Sequence, residues 1–382
     1  MNESRSPGAY VHVPFCAHRC TYCSFVALEG KREEEDFFEG LKKEIRARKP
    51  HAAGDPRDFD TVYFGGGTPS YVDALRLGGV LSTIEEIFGL SSDLEITAEA
   101  NPDDLDAAKL SALRSLGVTR LSVGVQSLVD AELLPLERRH DAAGARRAVT
   151  DAVRTFGNVS ADLMIGIPGQ SPGSLLASVD GLVSCGISHL SVYLLELEKA
   201  PRLVSLKKER PELFPDDDEM ADRWEAVDDR LTAAGLQRYE LSNWARPGFE
   251  SRHNLKYWQM TPVLGFGVGA HSFDGKRRSA NTGMISEYVR RTRLGQPVAV
   301  TFEEISVDSD FLRRKEGLML GLRLTGGVPS STFEEICRTL PGESRLRIED
   351  SFLAGLLEKD AGHVRLTRKG VLLSNEVFSL LV

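Results

Sequence analysis

The sequence predicts an α/β chain: a partial, roughly six-stranded (β/α) barrel with an open side, followed by a small helical, winged-helix-like domain. Three observations predict it. Short β-like runs alternate with amphipathic helical stretches at the spacing of parallel βαβ units. Gly117, Gly157 and Gly186 each follow a helical stretch as C-terminal stop signals. Chemistry-bearing residues fall at the ends of successive strands, where barrels carry their sites.

Strands are expected near Tyr10–Val13, Thr61–Phe64, Leu94–Ala100, Arg120–Val125, Val159–Ile165 and His189–Leu195. Amphipathic helices are expected between them at Glu33–Arg48, Val72–Phe88, Asp106–Leu116, Ala142–Thr155 and Ser174–Cys185. In the third, Leu110, Leu113 and Leu116 form one apolar stripe among charged and small residues. Parallel strands joined through helices imply right-handed crossovers. Pro201–Pro215 reads as a linker that breaks the alternation. Asp216, Asp217, Asp218 and Glu219 then open a further helix; acids complement the macrodipole there, so the run reads as a solvated helix start and not a metal site. A strand near Arg238–Ser242 leads into an aromatic, glycine-rich stretch ending at His271. From about Asp308, short helices, a hairpin-like segment at His363–Thr367 and a closing helix form the winged-helix-like end. The expected division is 1–235 for the barrel, 236–305 for a bridging region and 306–382 for the C-terminal domain.

Composition narrows the function. Forty-seven Lys and Arg against 56 Asp and Glu leave a net charge of −9, which argues against nucleic acid as a partner, even with a winged-helix shape. The N-terminus lacks the basic and apolar regions of a signal peptide, and no apolar run approaches the ~18 residues of a membrane span. The expectation is a cytoplasmic protein without a transmembrane segment, peripheral membrane contact staying open. Of five cysteines, Cys16, Cys20 and Cys23 fall within eight positions; in a reducing compartment such clusters bind metal or do chemistry. Cys185 and Cys337 stand alone in apolar helical surroundings and read as small buried hydrophobes.

The cysteine cluster follows a strand ending at Pro14, and two readings stand for it. Zinc could take the three thiolates with His12 or His18 as fourth ligand, giving a non-redox, zinc-stabilised binding protein. A cubane iron–sulfur cluster normally takes four cysteines, so three would leave one iron open to a small molecule.

The spacing C-x3-C-x2-C, with Tyr22 before the last cysteine, resembles the signature of the radical S-adenosylmethionine (SAM) family. That resemblance implies a [4Fe–4S] cluster on Cys16, Cys20 and Cys23, with the open iron binding the amino and carboxylate groups of SAM. An electron from the cluster would then break the sulfonium C–S bond and release a 5′-deoxyadenosyl radical. It also implies a SAM pocket on matching residues, Tyr22 among them. Gly66, Gly67 and Thr68, within Gly65-Gly-Gly-Thr-Pro69, match the turn that binds the amino group. Glu99 ends the third strand, Gln126 ends the fourth, Arg138 lies in the next loop and Asp162 lies in the fifth strand. A carboxylate there can hold ribose hydroxyls, and Arg a carboxylate in bidentate fashion. Tyr10, six residues before Cys16, also matches; each residue alone has an ordinary packing or surface reading.

Tyr10-Val-His-Val-Pro-Phe-Cys16 and Gly166-Ile-Pro-Gly-Gln170 resemble the oxygen-independent coproporphyrinogen III oxidase group of that family. Gly321-Leu-Arg-Leu324 and Leu373-Ser-Asn-Glu-Val377 extend the likeness to its small terminal domain. Two departures separate this chain from true oxidases. Phe25 stands where they carry a fourth cysteine, and the cluster begins at residue 16, without their longer N-terminal extension. Both point to a sister branch, the HemW heme chaperones, as does His253-Asn-Leu-Lys-Tyr257-Trp258, which fits that branch's HNxxYW motif. Membership implies heme as a further cofactor, a heme acceptor protein and an electron donor as partners, and His253, Tyr257 and Trp258 as heme-binding residues. His271 is a second candidate ligand. On a helix, His253 and Tyr257 share one face; the plainer reading is a satisfied histidine and two aromatics capping the barrel floor. Oxidative decarboxylation of coproporphyrinogen III to protoporphyrinogen IX is the alternative function, which Phe25 weakens.

Overall fold

The computed structural model describes residues 6–50, 55–198, 200–304 and 309–381. Six strands stand parallel in chain order: β1 (Gly8–Val13), β2 (Phe59–Gly66), β3 (Leu90–Ala100), β4 (Arg120–Gln126), β5 (Val159–Ile165) and β6 (His189–Leu194). Between them run α1 (Glu34–Ala47), α2 (Ala74–Phe88), α3 (Ala107–Ser115), α4 (Ala142–Phe156) and α5 (Pro172–Ser184). Four of the five, α2 to α5, begin where the sequence supplies a side-chain oxygen for the first free backbone N–H groups. Asp73, Asp106, Asp141 and Ser171 each accept such a bond. The outward strand residues Val11, Val62, Leu121 and Leu163 meet the helix stripes Leu41, Ile84, Leu113 and Val149 in one continuous core.

The structure departs from the expected organisation in three places. A seventh parallel strand, β7 (Val263–Phe266), lies beside β1 on its outer side, with Gly8 opposite Val263. Its four residues are too short a run to reveal a period in the sequence. Antiparallel strands His271–Phe273, Arg277–Asn281 and Ala299–Glu304 extend the sheet beyond it. Second, Pro201–Pro215 is not a linker. It contains α6 (Pro201–Glu209), because proline fits the first helical turn and Leu203 and Leu206 find Leu136, Met164 and Ile167 to pack against. Third, the strand expected at Arg238–Ser242 divides into Gln237–Arg238 and Asn243–Ala245, paired antiparallel. Between them the Glu240 carboxylate accepts from the Ser242 N–H and the Asn243 amide, which bends the chain. Asn243–Ala245 then pairs antiparallel with β6 and ends the parallel run. The acidic run reads as expected: Asp216 and Glu219 form a reciprocal capping box on α7 (Asp217–Ala233).

The short helix α8 (Arg252–Trp258) sits under the N-terminal ends of β1, β2 and β3. After α9 (Ile285–Arg293), the expected boundary at 305–306 and its onset at Asp308 lie outside the described residues. The C-terminal part holds α10 (Ser309–Gly321), α11 (Ser330–Thr339) and α12 (Gly342–Leu353). A hairpin of Leu357–Asp360 and His363–Leu366 and two short helices, Arg368–Leu372 and Ser374–Phe378, complete it. Cys185 and Cys337 are half-buried and pack against the core. No helix among the described residues is long and apolar enough to cross a membrane.

Candidate active site

A cavity of about 390 Å³ opens at the C-terminal ends of the parallel strands. Residues from β2 to β6 and from the cysteine loop line it, so the sheet curves around one side of a common space. Cys16, Cys20, Tyr22, Cys23, Gly66, Gly67, Thr68, Glu99, Gln126, Arg138 and Asp162 all reach this cavity. They come from six separate stretches of chain, and only the fold brings them together.

The cysteine loop is anchored at both ends. Phe15–Cys16 pairs with Leu28–Glu29, which makes the intervening residues a closed loop. Cys16 is buried, and its sulfur accepts from the Thr68 hydroxyl at 3.3 Å; the Cys20 sulfur accepts from Arg138 Nη1 at 3.3 Å. Burial pushes the Cys16 thiol up to about 11 and raises that of Cys23. A bound metal reverses this preference by holding thiolates, and donors already aimed at two sulfurs suit such a centre. Among the described residues, no group of three or more His, Cys, Asp and Glu side chains is gathered to hold one metal ion. His12 and His18, the expected fourth zinc ligands, are engaged elsewhere. His12 Nε2 lies 2.7 Å from the Val26 carbonyl and Nδ1 3.1 Å from the Tyr10 hydroxyl; His18 faces Glu29 at 2.8 Å and Glu137 at 3.5 Å. The zinc reading therefore lacks its tetrahedral donor set. A cubane, which takes each thiolate on a different iron, needs no shared point and fits three spread thiols.

The glycine turn closes against the cysteine loop. Gly67 N–H donates to Val13 O at 2.8 Å and Thr68 N–H to Phe15 O at 2.9 Å. Gly66 adopts φ +105°, a backbone state that favours glycine. Its N–H donates to Glu99 Oε2 at 3.0 Å, and the Tyr63 hydroxyl donates to Glu99 Oε1 at 2.9 Å. Burial still dominates and pushes the Glu99 carboxyl up to about 7; burial likewise raises Asp162 to about 6, although Ser122 donates to it at 3.2 Å. Two acids held near neutrality in a cleft are a functional signature. Gln126 ends β4 at φ +67°, where the pairing to β5 shifts by one residue, so strain and a bulge turn its side chain to the cavity.

Arg138 differs from the sequence expectation. Its Nη1 donates to Cys20 Sγ and, at 3.3 Å, to the Tyr22 hydroxyl; its Nη2 donates to Asn101 Oδ1 at 2.6 Å and Gly124 O at 2.5 Å. The guanidinium fork is spent on tying the cysteine loop to β3 and β4, leaving only the buried Nε without a partner. Tyr10 does not reach the cavity. It lies deeper in the barrel, its ring 6.1 Å from that of Tyr63, because six residues before Cys16 is the middle of β1. Asn101, Ser122, Tyr193 and Phe25 do reach it, unsingled by the sequence as binding residues. For Asn101 a signal existed in its place directly after Glu99-Ala100.

His253 and Tyr257 lie at the opposite end of the barrel. His253 is 1% exposed and stacks on Tyr63 at 5.1 Å. Its Nδ1 is 2.9 Å from the Thr61 hydroxyl and its Nε2 is 3.1 Å from the Tyr257 hydroxyl. Burial pushes the imidazole down to about 3, so the ring is neutral. In this conformation neither nitrogen is available to iron. Trp258 points away from both, toward the C-terminal part, with the Arg323 guanidinium 4.3 Å from its ring centre. The motif thus splits between two surroundings, and only His253 and Tyr257 meet as helical spacing predicted. His271 is exposed on the strand beyond β7 and does not line the cavity.

Residues 10–180 match the Radical SAM superfamily and residues 313–373 match the HemN C-terminal domain. The chain is 36% identical over 380 residues to a protein of Mycobacterium tuberculosis named heme chaperone HemW, covering 98% of this chain and 94% of that protein. A protein of the same name from Bacillus subtilis is 35% identical over 374 residues, 97% of each. Among solved structures, Escherichia coli coproporphyrinogen III oxidase (HemN), described as a radical SAM enzyme, shares the fold. Its TM-score is 0.83 at 22% identity, over 98% of this chain and 90% of that one. The chain belongs to the HemW heme chaperone family, within the radical SAM superfamily.

Proposed function

We propose that this protein is a heme chaperone of the cytoplasm that carries a [4Fe–4S] cluster on Cys16, Cys20 and Cys23, binds SAM beside it, and passes heme to an acceptor protein. The observation that supports it most is the convergence of the three-cysteine loop and the Gly66–Thr68 turn on one cavity in a chain of this family. When bound, the cluster and SAM together supply one-electron chemistry at a sulfonium carbon. The chain's own residues bind and orient. Glu99 and Asp162 present carboxyls to a ribose, while the Gly66–Thr68 turn, seated against the cysteine loop, lies beside the amino group. Gln126 faces the same space, and Tyr22 supports Arg138. Arg138 holds Cys20 in position and takes the SAM carboxylate only by exchanging one of its present partners. A reductant serves the cluster, and nucleic acid is not a partner. Residues 1–235, 236–305 and 306–382 act as barrel, bridge and C-terminal domain, although the bridge's β7 belongs to the barrel's sheet.

The test is anaerobic reconstitution of the full chain, followed by hemin titration and transfer to an apo-hemoprotein. The expected result is a Soret band that forms with this protein and moves to the acceptor. No Soret change sinks the reading, and turnover of coproporphyrinogen III to protoporphyrinogen IX replaces it with the oxidase.

A further inference from the structure

The cavity has two zones of unlike chemistry. Its depth is polar: Glu99, Asn101, Gln126, Arg138 and Asp162. Its rim is apolar and exposed. Phe25 leaves the cysteine loop 62% exposed, and Tyr193 and Leu194, at the end of β6, are 44% and 47% exposed. Large hydrophobics do not normally gather uncovered around the mouth of a pocket; where they do, an apolar partner covers them. The rim also carries a positive charge, the exposed Arg19 on the cysteine loop.

At the floor Tyr257 is 39% exposed, but its hydroxyl is bonded to His253 Nε2 and the histidine beneath it is buried. α8 is pinned from several directions besides its histidine. Lys256 pairs with Asp60 at 2.5 Å and donates to the Ser6 carbonyl at 2.6 Å; Arg252 reaches Asp60 and Asp93; Glu95 accepts from the His253 N–H at 3.1 Å. These contacts fix the backbone of α8, and a route to His253 Nε2 further requires the Tyr257 hydroxyl to leave it.

Resting on the heme-chaperone reading, we propose that the heme seats at the cavity mouth, its macrocycle against Phe25, Tyr193 and Leu194, and not on the barrel floor at His253. The polar depth stays free for SAM, and the heme covers the mouth above it. Arg19 receives a propionate by charge complementarity, which sets the orientation of the ring. Phe25, which occupies a position where the related oxidases have a cysteine, provides a flat face for a porphyrin.

The experiment is a hemin titration, followed in the Soret region, of the cluster-loaded full chain and its variants. F25S/L194S is expected to bind hemin at least tenfold more weakly, with iron content and far-ultraviolet circular dichroism as in the parent protein. Y257F, at the floor, is expected to bind hemin with the parent affinity. R19E is expected to weaken hemin severalfold and to leave the binding of hemin dimethyl ester unaltered. Parent-like hemin binding by F25S/L194S, or loss of binding in Y257F, overturns the placement while leaving the chaperone reading intact. No hemin binding by the parent protein overturns both.

Discussion

Gly67→Ala tests how the cysteine loop is held. A Cβ on residue 67 would lie 2.7 Å from Pro14 C, 2.8 Å from Val13 O and 2.9 Å from Phe15 N. All three are backbone atoms, so no side chain can swing aside. Relief to ordinary contact near ~3.5 Å requires the turn and the loop to part by more than half an ångström. That movement strains two backbone hydrogen bonds, Gly67 N–H to Val13 O and Thr68 N–H to Phe15 O, each worth about 1 kcal/mol net. It also draws the Thr68 hydroxyl from the Cys16 sulfur. Overpacking of this kind costs about 1–3 kcal/mol, so the total expected loss is roughly 2–4 kcal/mol. Denaturant unfolding of the cluster-free chain measures it, and iron and sulfide content after anaerobic reconstitution measures the functional consequence, expected to fall to under half. Gly79→Ala is the control: Gly79 lies exposed in α2 with nothing within 4 Å of the added carbon. It is expected to stabilise by about 0.5–1 kcal/mol through helix propensity, with full iron content. A Gly67→Ala protein as stable and as iron-rich as the parent refutes the reasoning that the turn holds the loop by close backbone approach.

Further outcomes follow from other parts of the molecule. Single Cys→Ser changes at Cys16, Cys20 and Cys23 are expected to abolish stable cluster loading, whereas Cys185→Ser and Cys337→Ser retain it; absorbance near 400 nm and iron analysis decide. Glu99, raised to about 7 from 4.5, binds its proton more tightly folded than unfolded. Its contribution to stability is therefore full below about pH 4.5 and is lost as pH rises toward 7, on the order of 3 kcal/mol at most. Glu99→Gln is thus expected to gain stability relative to the parent between pH 5 and 8, read from denaturation midpoints of the cluster-free chain; an unchanged difference contradicts the raised pKa. Lys256→Met removes the 2.5 Å partner of Asp60 and leaves it Arg252 at 3.3 Å, and is expected to cost about 1.5–3 kcal/mol in the same assay. A double-mutant cycle on Trp258→Ala and Arg323→Ala is expected to give a coupling of about 1 kcal/mol, since the guanidinium stacks on the ring and both are partly buried. Additive effects would remove that contact from the account of how the C-terminal part is fastened.

The sequence alone determined the parts whose information is local. Strand and helix order from Tyr10 to Leu194 and the three-cysteine loop follow from periodicity and spacing over a few residues. Where the signal was short or ambiguous, it ran out: β7 spans four residues, and Pro201 punctuates a helix start as readily as a linker. Tertiary structure alone decided which predicted residues share a space. It set Tyr10 below the cavity, spent the Arg138 fork on Cys20, Tyr22, Asn101 and Gly124, and satisfied both nitrogens of His253 at the floor. It also left Phe25 uncovered on the same rim as Leu194, 169 positions away in the chain. The physical reason is that a side chain's type is written at one position, whereas its burial, partners and pKa depend on atoms brought near from elsewhere. A curved parallel sheet collects strand ends at one mouth, and only that collection separates a ligand-binding histidine from a structural one.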